Sequence, residues 1–127
     1  MSKKIIVSDQ APAPIGPYSQ AVKAGNTLYV SGQIPFDQVT GEMINENITE
    51  ETHQVMKNIE AILSEAGMTF KNIVKCSIFI KDMNQFSTIN EAYGQYFKSE
   101  PPARETVEVA RLPKDVNVEI SCIAVDL

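Results

Sequence analysis

The closing run of the chain, residues 117–125, is apolar on both of its faces from Ile120 onward (ISCIAV). A strand with one wet face alternates between apolar and polar residues. A strand apolar on both sides is covered on both sides. This segment therefore belongs at the centre of a sheet, or in a sheet whose second face is also covered. Two amphipathic segments can supply one cover. Residues 49–66 place Val55, Ile59, Ile62, Leu63 and Ala66 at helical spacing. Thr49 is predicted as the N-cap, Glu50 and Glu51 suit the positive end of the helix dipole, and Gly67 is the stop. Residues 83–97 follow Asp82 as a cap and carry the stripe Phe86, Ile89, Tyr93, Tyr96 and Phe97. Both stripes are single, so both helices pack on one face of one sheet, an α+β arrangement in a single domain spanning 1–127. The second cover must then come from another subunit, and the pattern predicts an oligomer.

The remaining strands follow from alternation and punctuation. Residues 4–7 form a short strand, and Pro12, Pro14 and Pro17 space out a loop over residues 10–19. Residues 26–31 (NTLYVS) form a strand opened by Gly25-Asn26 and broken by Gly32-Gln33-Ile34-Pro35. Thr40-Gly41-Glu42 is a turn. Val74, Cys76, Ile78 and Ile80 alternate as a strand. Residues 106–111 and 117–125, joined by Leu112-Pro113-Lys114-Asp115, are predicted as an antiparallel hairpin.

The net charge of −5, without a basic stripe, argues against nucleic-acid binding through broad phosphate neutralisation. No run of 18 apolar residues exists, and Ile5-Ile6-Val7 is too short for a signal-peptide core, so a cytoplasmic protein is expected. Cys76 and Cys122 sit inside apolar alternation and read as buried reduced thiols. The single histidine, His53, reads as a helix-surface residue. One histidine builds no His-rich metal site, and there is no Cys-x-x-Cys, no Gly-rich phosphate loop and no serine elbow. An enzyme of this composition would work without metal or cofactor, using a carboxylate, a phenol, an arginine and backbone groups.

Four residues stand out for such chemistry. Arg104 follows Pro101-Pro102 at the entrance of a strand-like run. A guanidinium held there is a planar fork that matches a carboxylate with two parallel hydrogen bonds, although solvated arginines occupy such places too. Glu119 sits between Val118 and Ile120. It could partner an arginine, face water, or serve as a pocket acid or base. Tyr18, on the proline loop, can donate a hydrogen bond or anchor the loop by packing. Asn90 stands on the polar side of the second helix. Phe36, Ile89 and Tyr93 each could line a cleft or not.

Three motifs, Ala13 to Gln20 (APIGPYSQ), Ser31-Gly32-Gln33-Ile34-Pro35, and Pro102 to Asp115 followed by Val118-Glu119-Ile120, resemble the RidA/YjgF family in order and spacing, from about Ala11 to Val125. These are the reactive-intermediate deaminases, also called 2-iminobutanoate/2-iminopropanoate deaminases. The resemblance implies a chorismate-mutase-like α+β fold: a single mixed β-sheet, two helices on one face, and a homotrimer with a ligand cleft at each subunit boundary. By motif, Arg104 matches the family's carboxylate-binding arginine, Glu119 its water-positioning glutamate, Tyr18 its loop tyrosine and Asn90 its helix-two asparagine. Ser31 and Gly32 match a segment of the cleft wall. Thr106 stands where the family often has cysteine, which removes a thiol-dependent role but keeps the main-chain groups used there. The implied activity is cofactor-independent hydrolytic deamination of 2-imino and 2-enamino acids to 2-oxo acids and ammonia. Family members also carry two other labels, 2-oxo-acid-binding regulator and endoribonuclease. The acidic balance and single histidine make the last less attractive.

Overall fold

The computed structural model describes residues 2–127. The elements are β1 (Lys4–Ile6), β2 (Ala21–Ala24), β3 (Thr27–Gln33), β4 (Phe36–Asp37), β5 (Glu42–Met43), α1 (Ile48–Glu65), β6 (Ile73–Ile80), α2 (Phe86–Gly94), β7 (Ala103–Glu108) and β8 (Val118–Val125). Six strands form one sheet in the order β1-β2-β3-β8-β6-β7. The β6–β7 pair is parallel and the other pairs are antiparallel, so the sheet is mixed. β4 and β5 make a separate ribbon closed by Gly41, whose φ of 76° is a left-handed conformation suited to glycine. Among the described residues no helix is long and apolar enough to cross a membrane.

The core agrees with the helical and strand periodicities. Val55, Ile59, Ile62 and Leu63 of α1 and Ile78, Ile80, Val118 and Ile120 of β6 and β8 are fully buried between helices and sheet. β8 is central, as its double-sided apolar character requires. Its odd residues face the other way, onto a sheet surface with no cover from this chain. Phe79 and Ile123 are half-buried there, and Tyr29 and Val107 are exposed.

The structure differs from the sequence expectations at four points. The N-cap of α1 is Asn47, whose side chain accepts from the Glu50 amide at 2.9 Å, two residues before Thr49. Asparagine is among the strongest caps, and it lets Ile48 join the helix. The second helix is shorter than residues 83–97. A 3-10 turn at Met83–Gln85, capped by Asp82, precedes it, and i→i+3 bonds from Tyr96 and Phe97 close it beyond Gly94. The strand at residues 21–24 and the β4–β5 ribbon were not predicted, being too short to show a period. The fourth correction concerns the C-terminal hairpin. The turn at Leu112–Asp115 exists, but β7 and β8 do not pair, because β6 lies between them. The apolar strands β6 and β8 take the interior. β7, with Arg104, Glu105, Thr106 and Glu108, takes the edge, where charged residues also discourage further pairing.

The phase of β8 is set at its first residues. The buried Glu51 carboxylate on α1 accepts from the Asn117 amide at 2.6 Å and from Asn117 Nδ2 at 2.9 Å. The Asn117 carbonyl in turn accepts from the Lys81 amide at 3.0 Å. Glu51→Ala leaves two donors without their acceptor in a water-poor place. It is expected to cost roughly 1.5–3 kcal/mol, measured as a lower urea midpoint at unchanged m-value; an unchanged midpoint refutes the anchor.

Candidate active site

The edge strand β7 delivers the first half of the site. Arg104 lies across from Cys76, and Thr106 across from Ile78. Paired residues share a sheet face, so both side chains point to the helix side. There the Arg104 guanidinium donates from Nη1 to Asn90 Oδ1 at 2.7 Å. Its Cζ lies 5.2 Å from the Tyr93 ring centre and 5.7 Å from that of Phe86. Phe86, Asn90 and Tyr93 are spaced i, i+4, i+7 on α2, one face of the helix. Asn90 is thus not on the polar side, as the sequence reading had it, but half-buried as the brace of an arginine. The same spacing, a single asparagine between two aromatics, was the available signal for the roles of Phe86 and Tyr93.

The Thr106 hydroxyl is buried without a hydrogen-bond partner, as is that of Tyr93 beside the Cys76 thiol. Desolvation pushes both the Tyr93 phenol and the Cys76 thiol up. The Val109 amide donates inward to the Ile80 carbonyl at 2.9 Å. By alternation the amide and carbonyl of Thr106 point outward from the free edge of the sheet.

The second half is a cleft of about 340 Å³ lined by Ile15, Tyr18, Ser31, Gly32, Ile34, Pro113 and Glu119. It is built on a β-bulge. Val30 pairs with Cys122 and Gln33 with Ile120, so Ser31 and Gly32 together oppose one residue of β8. The glycine has a steric reason. A Cβ at Gly32 would stand 2.7 Å from Glu119 Cδ and overlap the carboxylate. Glu119 lies directly on this bare backbone, half-buried and with no ion pair among the described residues. Desolvation raises its pKa.

Ser31 is pinned by Oγ donating to the Ser19 carbonyl at 2.6 Å and by its amide donating to the Gln20 carbonyl at 2.9 Å. The buried Gln20 side chain accepts from the Ser8 amide at 2.7 Å and donates to the carbonyls of Ser8, Ala11 and Pro12. The proline loop is thereby tied to the sheet. At its tip the exposed Tyr18 hydroxyl accepts from the Ile15 amide at 3.2 Å.

The two halves lie on opposite faces of the sheet. Glu119 pairs with Phe79, an odd position, whereas Arg104 pairs with Cys76, an even one. They are two strands and three residues apart, on the order of 10 Å in each direction, with the sheet between them. A small ligand cannot touch both within one chain.

The other sequence candidates lie elsewhere. Arg111 pairs with Asp115 at 2.6 Å on the exposed turn. His53 Nδ1 lies 2.8 Å from the Tyr96 hydroxyl. Cys76 and Cys122 face each other across β6 and β8 as buried free thiols. Among the described residues no group of three or more His, Cys, Asp or Glu could hold a metal ion.

Comparison with known proteins places this architecture. The family model described as Endoribonuclease L-PSP matches residues 8–126. A RutC family protein of Pyrococcus horikoshii is 52% identical over 122 residues, covering 96% of this chain and 97% of that protein. A Bos taurus protein named 2-iminobutanoate/2-iminopropanoate deaminase is 48% identical over 123 residues, 97% of this chain and 90% of that one. The crystal structure of the Escherichia coli YjgF gene product superposes with a TM-score of 0.93 at 45% identity, covering 98% of this chain and 99% of that chain. Matched over nearly its whole length in sequence and in fold, the chain belongs to the Endoribonuclease L-PSP family, the RidA/YjgF group, and has its chorismate-mutase-like fold.

Proposed function

We propose that this protein hydrolyses reactive 2-imino and 2-enamino acids, such as 2-iminopropanoate and 2-iminobutanoate, to 2-oxo acids and ammonia. It does so without a cofactor, at clefts shared between subunits of a homotrimer. The observation that carries the reading is the split of the candidate groups between the two faces of the sheet. Among the described residues, a braced cation without a carboxylate partner sits on one side, and a desolvated carboxylate without a cation on the other. A neighbouring copy lying on the uncovered sheet face, the face that carries Glu119, would bring the Arg104 edge of one chain to the Glu119 cleft of the next.

Arg104 clamps the substrate carboxylate with two charge-assisted hydrogen bonds, its plane held by Asn90 and the two aromatic rings. The outward main-chain groups of Thr106 hold the imine nitrogen, whose protonation makes C2 electrophilic. Glu119 takes one proton from a water while the water oxygen bonds to C2, and the C2=N π pair becomes the nitrogen lone pair. The carbinolamine nitrogen then takes a proton, the hydroxyl loses one, the C2–N bond breaks with its electrons leaving on ammonia, and C2=O forms. Ser31 and Gly32 form the floor under the carboxylate, and the Tyr18 phenol stands at the cleft mouth to hold water or leaving nitrogen. Free imines hydrolyse in water, so positioning and one general base, worth on the order of 10²–10⁴-fold, are enough.

The acceleration of 2-iminopropanoate loss, generated in situ, tests this. Arg104→Ala is expected to lower kcat/KM roughly 100-fold, as loss of about 3 kcal/mol of carboxylate binding. Glu119→Gln should slow turnover at least about 100-fold while 2-oxo acid binding persists. Mixed and allowed to exchange subunits, these two inactive variants should recover about a quarter of wild-type activity, the fraction of boundaries that reunite both native residues. No recovery in demonstrably mixed oligomers, or a light-scattering mass of one chain at micromolar concentration, removes the shared cleft.

The pH dependence has a definite sign. Glu119 acts ionised and burial raises its pKa, so kcat/KM should fall with decreasing pH through a midpoint above the usual carboxylate range. Glu119→Gln should lose that limb. Gly32→Ala should displace the carboxylate and cut kcat at least about tenfold, with thermal unfolding little changed, since only the end of a side chain must move. Wild-type turnover by Gly32→Ala would contradict the role given to this contact.

A further inference from the structure

A second cavity, of about 360 Å³, opens beneath the proline loop and adjoins the Glu119 cleft. The two share Ile15, Tyr18, Gly32 and Ile34, and the Glu119 carboxylate rests on Gly32 where they meet. Away from that junction the walls are mostly apolar, with Pro12, Pro14, Phe36 and Met43, and Gln20, Gln33, Gln38 and Lys114 are the polar members. A cavity of 150 Å³ already holds benzene, so this one takes a group of that size with room to spare (~150 Å³ reference). An aliphatic pocket of this volume contributes little to the chemistry assigned to Arg104 and Glu119. The mechanism uses only C1, C2 and the nitrogen of the substrate.

We propose that this cavity is the side-chain subsite of the cleft, and that it selects 2-imino acids with large uncharged side chains, branched aliphatic or phenyl, over those with a methyl or hydroxymethyl. The proposal rests on the deaminase reading for the position of C2 beside Glu119. From there a side chain running along the wall of Ile15 and Ile34 that the two spaces share enters the cavity and is buried against Phe36 and Met43. Lys114 lines the rim and disfavours cationic side chains. Of the polar liners, Gln33 is itself buried. Gln33, 5% exposed, donates through Nε2 to the Ser31 carbonyl at 3.1 Å, while its Oε1 is buried with no partner.

The test compares 4-methyl-2-iminopentanoate with 2-iminopropanoate, each generated in situ by an amino-acid oxidase, in wild type and in Met43→Trp. Met43 touches the cavity but not the Glu119 cleft. The wild type should favour the larger substrate in kcat/KM by about tenfold or more, the range that added methylenes supply in an apolar pocket. Met43→Trp should abolish that preference and leave 2-iminopropanoate turnover unchanged, and the milder Met43→Phe should fall between. A wild-type preference for the small substrate, or an unchanged ratio in both variants, overturns the proposal. Calorimetric binding of 4-methyl-2-oxopentanoate and pyruvate separates it from the deaminase reading. If neither imine is turned over yet the larger 2-oxo acid binds more tightly and loses that advantage in Met43→Trp, the subsite stands and the activity does not. Equal binding of both acids sinks the subsite whatever the activity.

Discussion

The two-residue period of β8 is the constraint on which the rest of the structure depends. Val118, Ile120, Cys122 and Ala124 lie under the helices, and Glu119, Ser121, Ile123 and Val125 face the opposite way. A slip of one residue would drive Glu119 into the core and expose the apolar row, so burial holds the register tightly. The Glu51–Asn117 contact sets where the period starts. A buried carboxylate with two donors on one side chain and one backbone is a short, directional clamp. It ties the first turn of α1 to the residue two before Glu119. Core packing and the direction of the candidate base are thus one property.

The cleft around Glu119 shows how a plain residue set becomes chemically distinct. A glutamate on a sheet face is ordinarily well hydrated. Here the bulge at Ser31 and Gly32 lifts the backbone of β3 toward it, and the missing Cβ lets the carboxylate settle on main chain. Water is displaced without a cation arriving, so the charged form is disfavoured and the pKa rises. Arg104 shows the complementary device. Its charge is retained, while Asn90 and two aromatic faces restrict its orientation before any anion is present.

Much of this was legible in the chain. The spacing of Val55, Ile59, Ile62 and Leu63 marks the buried stripe of α1, the alternation from Val74 to Ile80 marks β6, and the doubly apolar end of β8 marks a central strand. The motifs around Tyr18, Ser31-Gly32, Arg104 and Glu119 point to the family. What misled was adjacency. Two strands joined by a turn with Pro113 look like a hairpin, yet local turn chemistry cannot say whether a third strand inserts. Asn90 misled for a related reason. On a nine-residue helix the boundary between buried and wet faces is one residue wide, and the arginine it braces comes from β7, beyond the end of α2. The strand β2 and the β4–β5 ribbon were hidden because two to four residues carry no period.

By itself, then, the sequence determined the helix stripe, the parity of every long strand and the identity of the residues that could do chemistry, because each of these is set by near neighbours and by side-chain chemistry. Only the tertiary structure decided how those parities combine. β6 and β8 bury apolar rows that must lie side by side beneath both helices, and the polar β7 is left the edge. That order of strands, a matter of non-local burial rather than of any one segment, puts Arg104 and Glu119 on opposite faces of the sheet, where a single chain cannot bring them to one small molecule.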